Sequence, residues 1–179
     1  MDLPHFRYHP DPLRSGSVTV SDKKCVCCGN QTGYLYTGPV YSRKELDDSL
    51  CPTCISDGSA HKKYRATFHD LEAMSDDIPD AAAKEIAQRT PGFASWQSPA
   101  WPACCGDAAE FLGPVGIAEI RRDFREAEMM VLNHIIYEMH ISGGAATRLL
   151  DGLNKDAGPT AYLWKCPRCL RHHVQIDSL

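Results

Sequence analysis

An α+β chain, with a small β unit near each end and a helical middle, is what three features of the sequence predict. The first is a pair of C-x-x-C elements, Cys25/Cys28 and Cys51/Cys54, with short β-type runs before and between them. The second is a run from Ile117 to about Leu150 whose apolar residues recur every three or four positions. The third is a strand–C-x-x-C–strand pattern around Cys166 and Cys169.

Leu3 to Ser15 carries Pro4, Pro10 and Pro12 and reads as an extended lead-in, since proline removes a backbone donor and restricts its predecessor. Ser17–Val20 and Tyr34–Thr37 are strand candidates, and Gly38-Pro39 turns the chain after the second. A short helix is expected within His61–Phe68. A better one covers Asp80–Gln88, alanine-rich, with Pro79 at its start and Thr90-Pro91-Gly92 as its stop. The stretch from Pro91 to Pro102 reads as an ordered loop pinned by burial of Trp96 and Trp101. In the long helix, Ile117, Ile120, Phe124, Ala127, Val131, Ile135 and Met139 form one face. Ser142-Gly143-Gly144 interrupts it before a shorter helix through Leu149 and Leu150. The ending, Ala161–Trp164, Cys166–Cys169 and His173–Ile176, reads strand, knuckle, strand.

Composition narrows the function classes. Of 179 residues, 43% are hydrophobic and 23% charged, so a packed core is expected. The formal charge of −4 argues against sequence-independent binding to a phosphate backbone, which draws on basic excess. No apolar run approaches the roughly 18 residues of a membrane span, so no membrane insertion is expected. The opening Met1-Asp2-Leu3-Pro4-His5 is polar, and the expected location is cytoplasmic.

Nine cysteines in a reducing compartment point to metal rather than to disulfides. Two thiolates three positions apart reach one ion when the backbone between them turns tightly, and Gly29 permits such a turn after Cys28. Residues 29–50 separate the two pairs, a span that a strand pair absorbs. Cys25, Cys28, Cys51 and Cys54 therefore form a predicted closed structural zinc site. Redox-active thiols are the competing reading, but a thioredoxin-like motif needs a βαβ context that is missing. Cys27 could replace Cys25 only in a distorted arrangement and reads as a free thiol.

Cys166 and Cys169 supply half of a second zinc site. Cys104-Cys105 is the remaining cysteine pair, and because adjacent residues seldom share one ion comfortably, one of the two is expected to ligate. His172, His173 and Asp107 are candidates for the fourth position. Such a site matters, because three protein ligands and a water make a catalytic zinc whereas four thiolates leave no open position. The predicted organisation is one domain over 1–179: a zinc-ribbon-like unit over 1–70, a mainly helical middle over 71–155 and a C-terminal knuckle unit over 156–179.

The sequence also resembles the CbrC family of small bacterial colicin-tolerance proteins. The resemblance rests on Phe6-Arg7-Tyr8-His9-Pro10-Asp11-Pro12-Leu13, Cys25-x-x-Cys28-Gly29, Tyr36-Thr37-Gly38-Pro39, Leu50-Cys51-Pro52-x-Cys54, Thr90-Pro91-Gly92-Phe93, Trp101-x-x-x-Cys105-x-Asp107 and Pro159–Trp164-x-Cys166-x-x-Cys169. It implies a cytoplasmic zinc-binding protein with a role in tolerance to E-group colicins through an unknown protein partner. Where that family tends to have His-Cys, this chain has Cys104-Cys105, which makes Cys105 the better ligand. The second set is thus Cys105, Cys166 and Cys169, with His172.

Other groups carry weaker signals. His61, His69 and Asp70 read as surface polar residues near a short helix, and His134, Glu138 and His140 lack the spacing of H-E-x-x-H. Neither C-P-x-C fits the deaminase arrangement, and no Gly-rich phosphate loop is present. Basic clusters at Lys62–Arg65, Arg121/Arg122/Arg125 and Arg168/Arg171 keep a nucleic-acid-binding module open as an alternative. A zinc-dependent hydrolase or nuclease using Cys105, Cys166 and Cys169 is the other.

Overall fold

The computed structural model describes residues 2–97 and 99–177. Its N-terminal part is held by two three-residue strands, β1 (Val18–Val20) and β2 (Tyr34–Tyr36), paired antiparallel with Val18 opposite Tyr36. Two short helices follow, α1 (Pro52–Ser56) and α2 (Ser59–Tyr64), then a longer one, α3 (Asp80–Arg89). Next come a minimal hairpin of β3 (Ala103–Cys104) and β4 (Asp107–Ala108), the strand β5 (Glu110–Val115), and helices α4 (Ile117–Asp123), α5 (Glu128–Tyr137) and α6 (Gly144–Gly152). The strands β6 (Thr160–Lys165) and β7 (His172–Asp177) close the chain. The architecture is mixed α and β with small antiparallel sheets.

The sheet β5-β6-β7 separates two cores. Alternation along β6 sends Ala161 and Leu163 toward α4–α6, where Ile120, Phe124, Ala127, Val131 and Ile135 pack with Val174 and Ile176. Tyr162 and Trp164 go to the opposite face and join Tyr8, Phe93, Trp101 and Phe111 in an aromatic cluster, with Phe93 stacked on Phe111 at 3.8 Å. A third cluster surrounds the N-terminal cysteines and includes Phe6, Tyr36, Leu50, Ile55 and Phe68.

The predicted apolar face over 117–139 is present, but the helix carrying it is not continuous. Phe124 adopts φ −137°, ψ 43°, outside the helical region, and a 3₁₀ turn over Arg125–Ala127 reconnects to α5. The break lets Phe124 bury its ring while Arg14 lies over it at 4.6 Å. The middle region is also less helical than expected, since it holds β3, β4 and β5. Gly113 and Pro114 both lie within β5: this is an edge strand, where proline forfeits no ladder bond, and a bulge between Phe111 and Gly113 absorbs the irregularity. Of the two tryptophans expected to pin the loop, Trp101 is buried and donates from Nε1 to the Ala109 carbonyl at 2.8 Å. Trp96 is 79% exposed.

His9 ties the lead-in to this loop. Its Nδ1 lies 2.7 Å from the Pro91 carbonyl and its Nε2 2.7 Å from Ser15 Oγ. A carbonyl only accepts, so Nδ1 carries the proton and Nε2 accepts from the serine. Burial pushes the His9 pKa down to about 4. The group is therefore neutral in the fold but protonates near 6.5 when unfolded, and its stabilisation is complete above that value and lost as pH falls toward about 4. We predict that urea unfolding at pH 5 shows about 2 kcal/mol less stability than at pH 7 from this residue. His9→Gln should flatten that slope; an unchanged slope would assign the loss to other groups.

Candidate metal centres

The N-terminal centre is assembled from a β turn and a helix start. After β1, Lys24 bridges Gln31 and closes a knuckle in which Gly29, at φ +76°, donates to the Cys25 carbonyl at 2.8 Å. Leu50 is fully buried and holds Cys51 at the N-cap of α1, so the turn of that helix brings Cys54 round beside it. The Sγ atoms of Cys25, Cys28, Cys51 and Cys54 lie within 4.8 Å of one another. The Cys25–Cys54 and Cys28–Cys51 separations are both 3.9 Å. Four thiolates at the usual 2.3 Å around a tetrahedral zinc would sit about 3.8 Å apart, so the set fits. Two backbone N–H groups, of Cys27 at 3.4 Å and Cys51 at 3.2 Å, point at Cys25 Sγ. The second pair opens a helix rather than another β turn, which departs from a simple ribbon.

The C-terminal centre is formed by two hairpin ends that meet. Cys166 and Cys169 occupy the connection between β6 and β7, where Leu170, at φ +62°, donates to the Cys166 carbonyl at 3.0 Å. This repeats the geometry of Gly29 at a residue with a side chain. Opposite it, β3 and β4 are joined by Cys105 and Gly106, at φ +53° and +72°. Two successive left-handed residues make a type I′ turn. All four thiols of Cys104, Cys105, Cys166 and Cys169 gather within 4.8 Å, with Cys104 Sγ 3.9 Å from Cys105 and 3.6 Å from Cys169.

Two expectations are corrected by this placement. Both members of the adjacent pair join the cluster, because the left-handed backbone of Cys105 turns its side chain back toward that of Cys104 instead of to the opposite face of a strand. His172 lies outside the group of four: its Nε2 is 3.7 Å from Glu126 and its ring packs at 6.4 Å from Phe124. His69, expected at the surface, is buried against Phe93 and Trp101, while His61 bonds the Ala66 carbonyl through Nδ1. The basic cluster on α4 is largely paired, Arg121 with Glu128 and Asp151, and Arg122 with Asp123.

Electrostatics within each cluster favour a dication. Cys25 is driven down, foremost by its hydrogen bond with Cys51, and Cys51 is driven up by the same contact. In the second cluster burial and the neighbouring thiols push Cys104 up to about 12. Cys166 falls to about 7: burial raises it, but the backbone N–H groups of Cys169 and Arg168 and the adjoining thiols outweigh that. One thiolate per cluster forms readily while Cys51 and Cys54 in the first, and Cys104 and Cys105 in the second, resist ionisation, a repulsion that a bound divalent ion relieves.

Asp107 connects the second centre to the lead-in, a role the sequence signals only through its place after Cys-Cys-Gly. Its buried carboxylate accepts from Arg7 at 2.5 Å, from Tyr8 Oη at 2.9 Å and from the Ala108 N–H at 2.9 Å, and Arg168 approaches to 4.0 Å. Burial, then Asp107, raises the Tyr8 pKa. We predict that Asp107→Ala costs about 3 kcal/mol in urea unfolding, because the Tyr8 hydroxyl and Ala108 N–H lose their buried acceptor. A change within about 0.5 kcal/mol would show the carboxylate to be dispensable.

Among the described residues no helix is long and apolar enough to cross a membrane. No solved structure matches the chain. Relatives do: the UPF0167 protein Mb2317 of Mycobacterium bovis is 40% identical over 176 residues, covering 98% of this chain and 93% of the relative. The UPF0167 protein PA1536 of Pseudomonas aeruginosa is 41% identical over 177 residues, covering 98% and 97%. The family model described as "Uncharacterised protein family (UPF0167)" matches residues 3–178, and the chain belongs to that family.

Proposed function

We propose that the protein is a zinc-stabilised binding protein whose two metal centres are structural. The observation that carries this reading is that each cluster offers four thiols, the closed arrangement typical of structural zinc. In the second centre Cys104 supplies the fourth thiol. That removes the open position on which a hydrolase using Cys105, Cys166 and Cys169 would depend. The resemblance to the CbrC family supports a cytoplasmic role in tolerance to E-group colicins, exerted by binding a protein partner rather than by a reaction at zinc.

The test is metal content with coordination. Protein purified without added metal should carry two zinc ions per chain, and X-ray absorption should show sulfur-only first shells near 2.3 Å. A zinc with a water ligand in its shell would overturn the structural assignment for that centre, and a nitrogen ligand would overturn its four-thiol coordination. Loss of both ions to a strong chelator without any change in unfolding would overturn it for both.

A further inference from the structure

The strongest unassigned feature lies away from both clusters. A cleft of about 480 Å³ opens where the turn before β1, the residues after β2, the 93–96 loop and the 155–160 turn converge over Tyr162. That volume falls within the range of small-molecule sites. Its wall is rich in hydroxyls: Ser15, Ser17, Thr37 and Thr160 all line it. Thr37 and Thr160 donate inward to the carbonyls of Gly16 and Asn154, each at 2.8 Å, which leaves oxygen lone pairs toward the cleft. Ser15 is oriented by neutral His9 in the same way.

Trp96 stands at the rim. It is 79% exposed, and its ring stacks on no other aromatic group among the described residues. The segment presenting it is nevertheless fixed. Backbone N–H groups of Trp96 and Gln97 donate to Asp177 Oδ2 at 2.8 and 3.2 Å, and Ala100 exchanges two hydrogen bonds with Gln175, each 2.9 Å. Phe93 anchors the other end in the aromatic core. A large indole held out in water by a tethered loop, at the mouth of a cleft that mixes apolar surface with hydroxyls, is a stacking platform. Lys155, on the facing turn, has no ion pair among the described residues and lies beside Asp156.

We propose that this cleft binds a free nucleotide, with the base stacked on Trp96, the ribose against the Ser and Thr hydroxyls and Asp156, and the phosphate at Lys155. An apolar planar ring, a polyhydroxyl middle and an anionic end match the three chemistries of the cleft in one small molecule. The formal charge of −4 disfavours a polymer, whose affinity draws on many phosphate contacts. The site is independent of the metal centres and of the role proposed for them.

The test titrates the metal-loaded protein with the four 5′-ribonucleoside monophosphates by calorimetry. Trp101 and Trp164 are fully buried, so quenching of the solvent-exposed Trp96 emission reports the same event. At least one monophosphate is expected to bind saturably at one per chain. Trp96→Ala should weaken it at least about 5-fold, the lower end for losing one base–aromatic stack. Lys155→Gln should weaken the monophosphate while leaving the matching nucleoside unaffected. The proposal is overturned if none of the four binds at millimolar concentration, or if either variant binds the monophosphate as the parent does. Equal affinity for inorganic phosphate or glucose would overturn it too, as would a single-stranded oligonucleotide that binds more tightly than the monophosphate with a steep salt dependence.

Discussion

Replacing Cys51 with serine is expected to halve the metal content and unfold the N-terminal part of the chain while the β5-β6-β7 sheet and its helices stay folded. The reason lies in how little else holds that part together. Its strands have three residues each, its helices five and six, and isolated elements of this size are marginal in water. The thiols of Cys25, Cys51 and Cys54 are buried within the cluster formed by Phe6, Leu50, Ile55 and Phe68, so an ion held by them would sit at the centre of that core. Structural zinc in finger-sized units contributes about 10–16 kcal/mol, comparable with the whole stability of a domain at about 5–15 kcal/mol. Serine preserves the size of the side chain and removes the soft ligand, which separates coordination from packing. Hydrogen exchange should show protection lost through about residue 68 and retained over Thr160–Lys165. A variant that kept two ions, or kept the parent's protection in β2 and α1, would sink the idea.

Much of this architecture was legible because its signals are local. The spacing Cys25/Cys28 and Cys51/Cys54 depends on backbone turns a few residues long, and Gly29 marks one of them. Likewise β1, β2, α3 and the β6–β7 pair follow from runs that need no distant partner. The apolar stripe from Ile117 to Ile135 correctly named the buried face, yet periodicity is blind to the break at Phe124, since a 3₁₀ turn keeps the stripe in register across it. What escaped reading depends on tertiary contact. β5 is recognisable only once β6 lies beside it, because Gly113 and Pro114 are turn residues in isolation. Trp96 and Trp101 have similar local contexts, but only Trp101 finds the aromatic core. His69 likewise reads as polar surface until Phe93 and Trp101 close over it.

At the C-terminal centre, Cys104→Ser and Cys105→Ser are expected to have equal consequences, each losing one of two bound ions, whereas His172→Ala keeps both. A strand-like Cys104-Cys105 would aim its two thiols to opposite faces, and then only one substitution would matter. The type I′ turn at Cys105-Gly106 removes that distinction and makes the two thiols neighbours at 3.9 Å. His172 is held apart by Phe124 and Glu126, so its ring is not needed. The structural loss should be smaller than at Cys51. Cys105 and Cys169 are exposed, and the hairpin ends they occupy stem from a sheet with its own cores on both faces. Loosening should therefore be confined to residues 103–108 and 165–172, with the unfolding midpoint lowered by a few degrees, as about 1–2 kcal/mol does in a chain of this size. Cobalt substitution gives an independent reading, because the thiolate-to-metal absorption of a four-sulfur site falls when one sulfur is removed. If His172→Ala loses an ion, the histidine belongs to the coordination set; if Cys104→Ser retains both, Cys104 is not a ligand, and an open or exchangeable position beside Cys105, Cys166 and Cys169 regains its claim to chemistry.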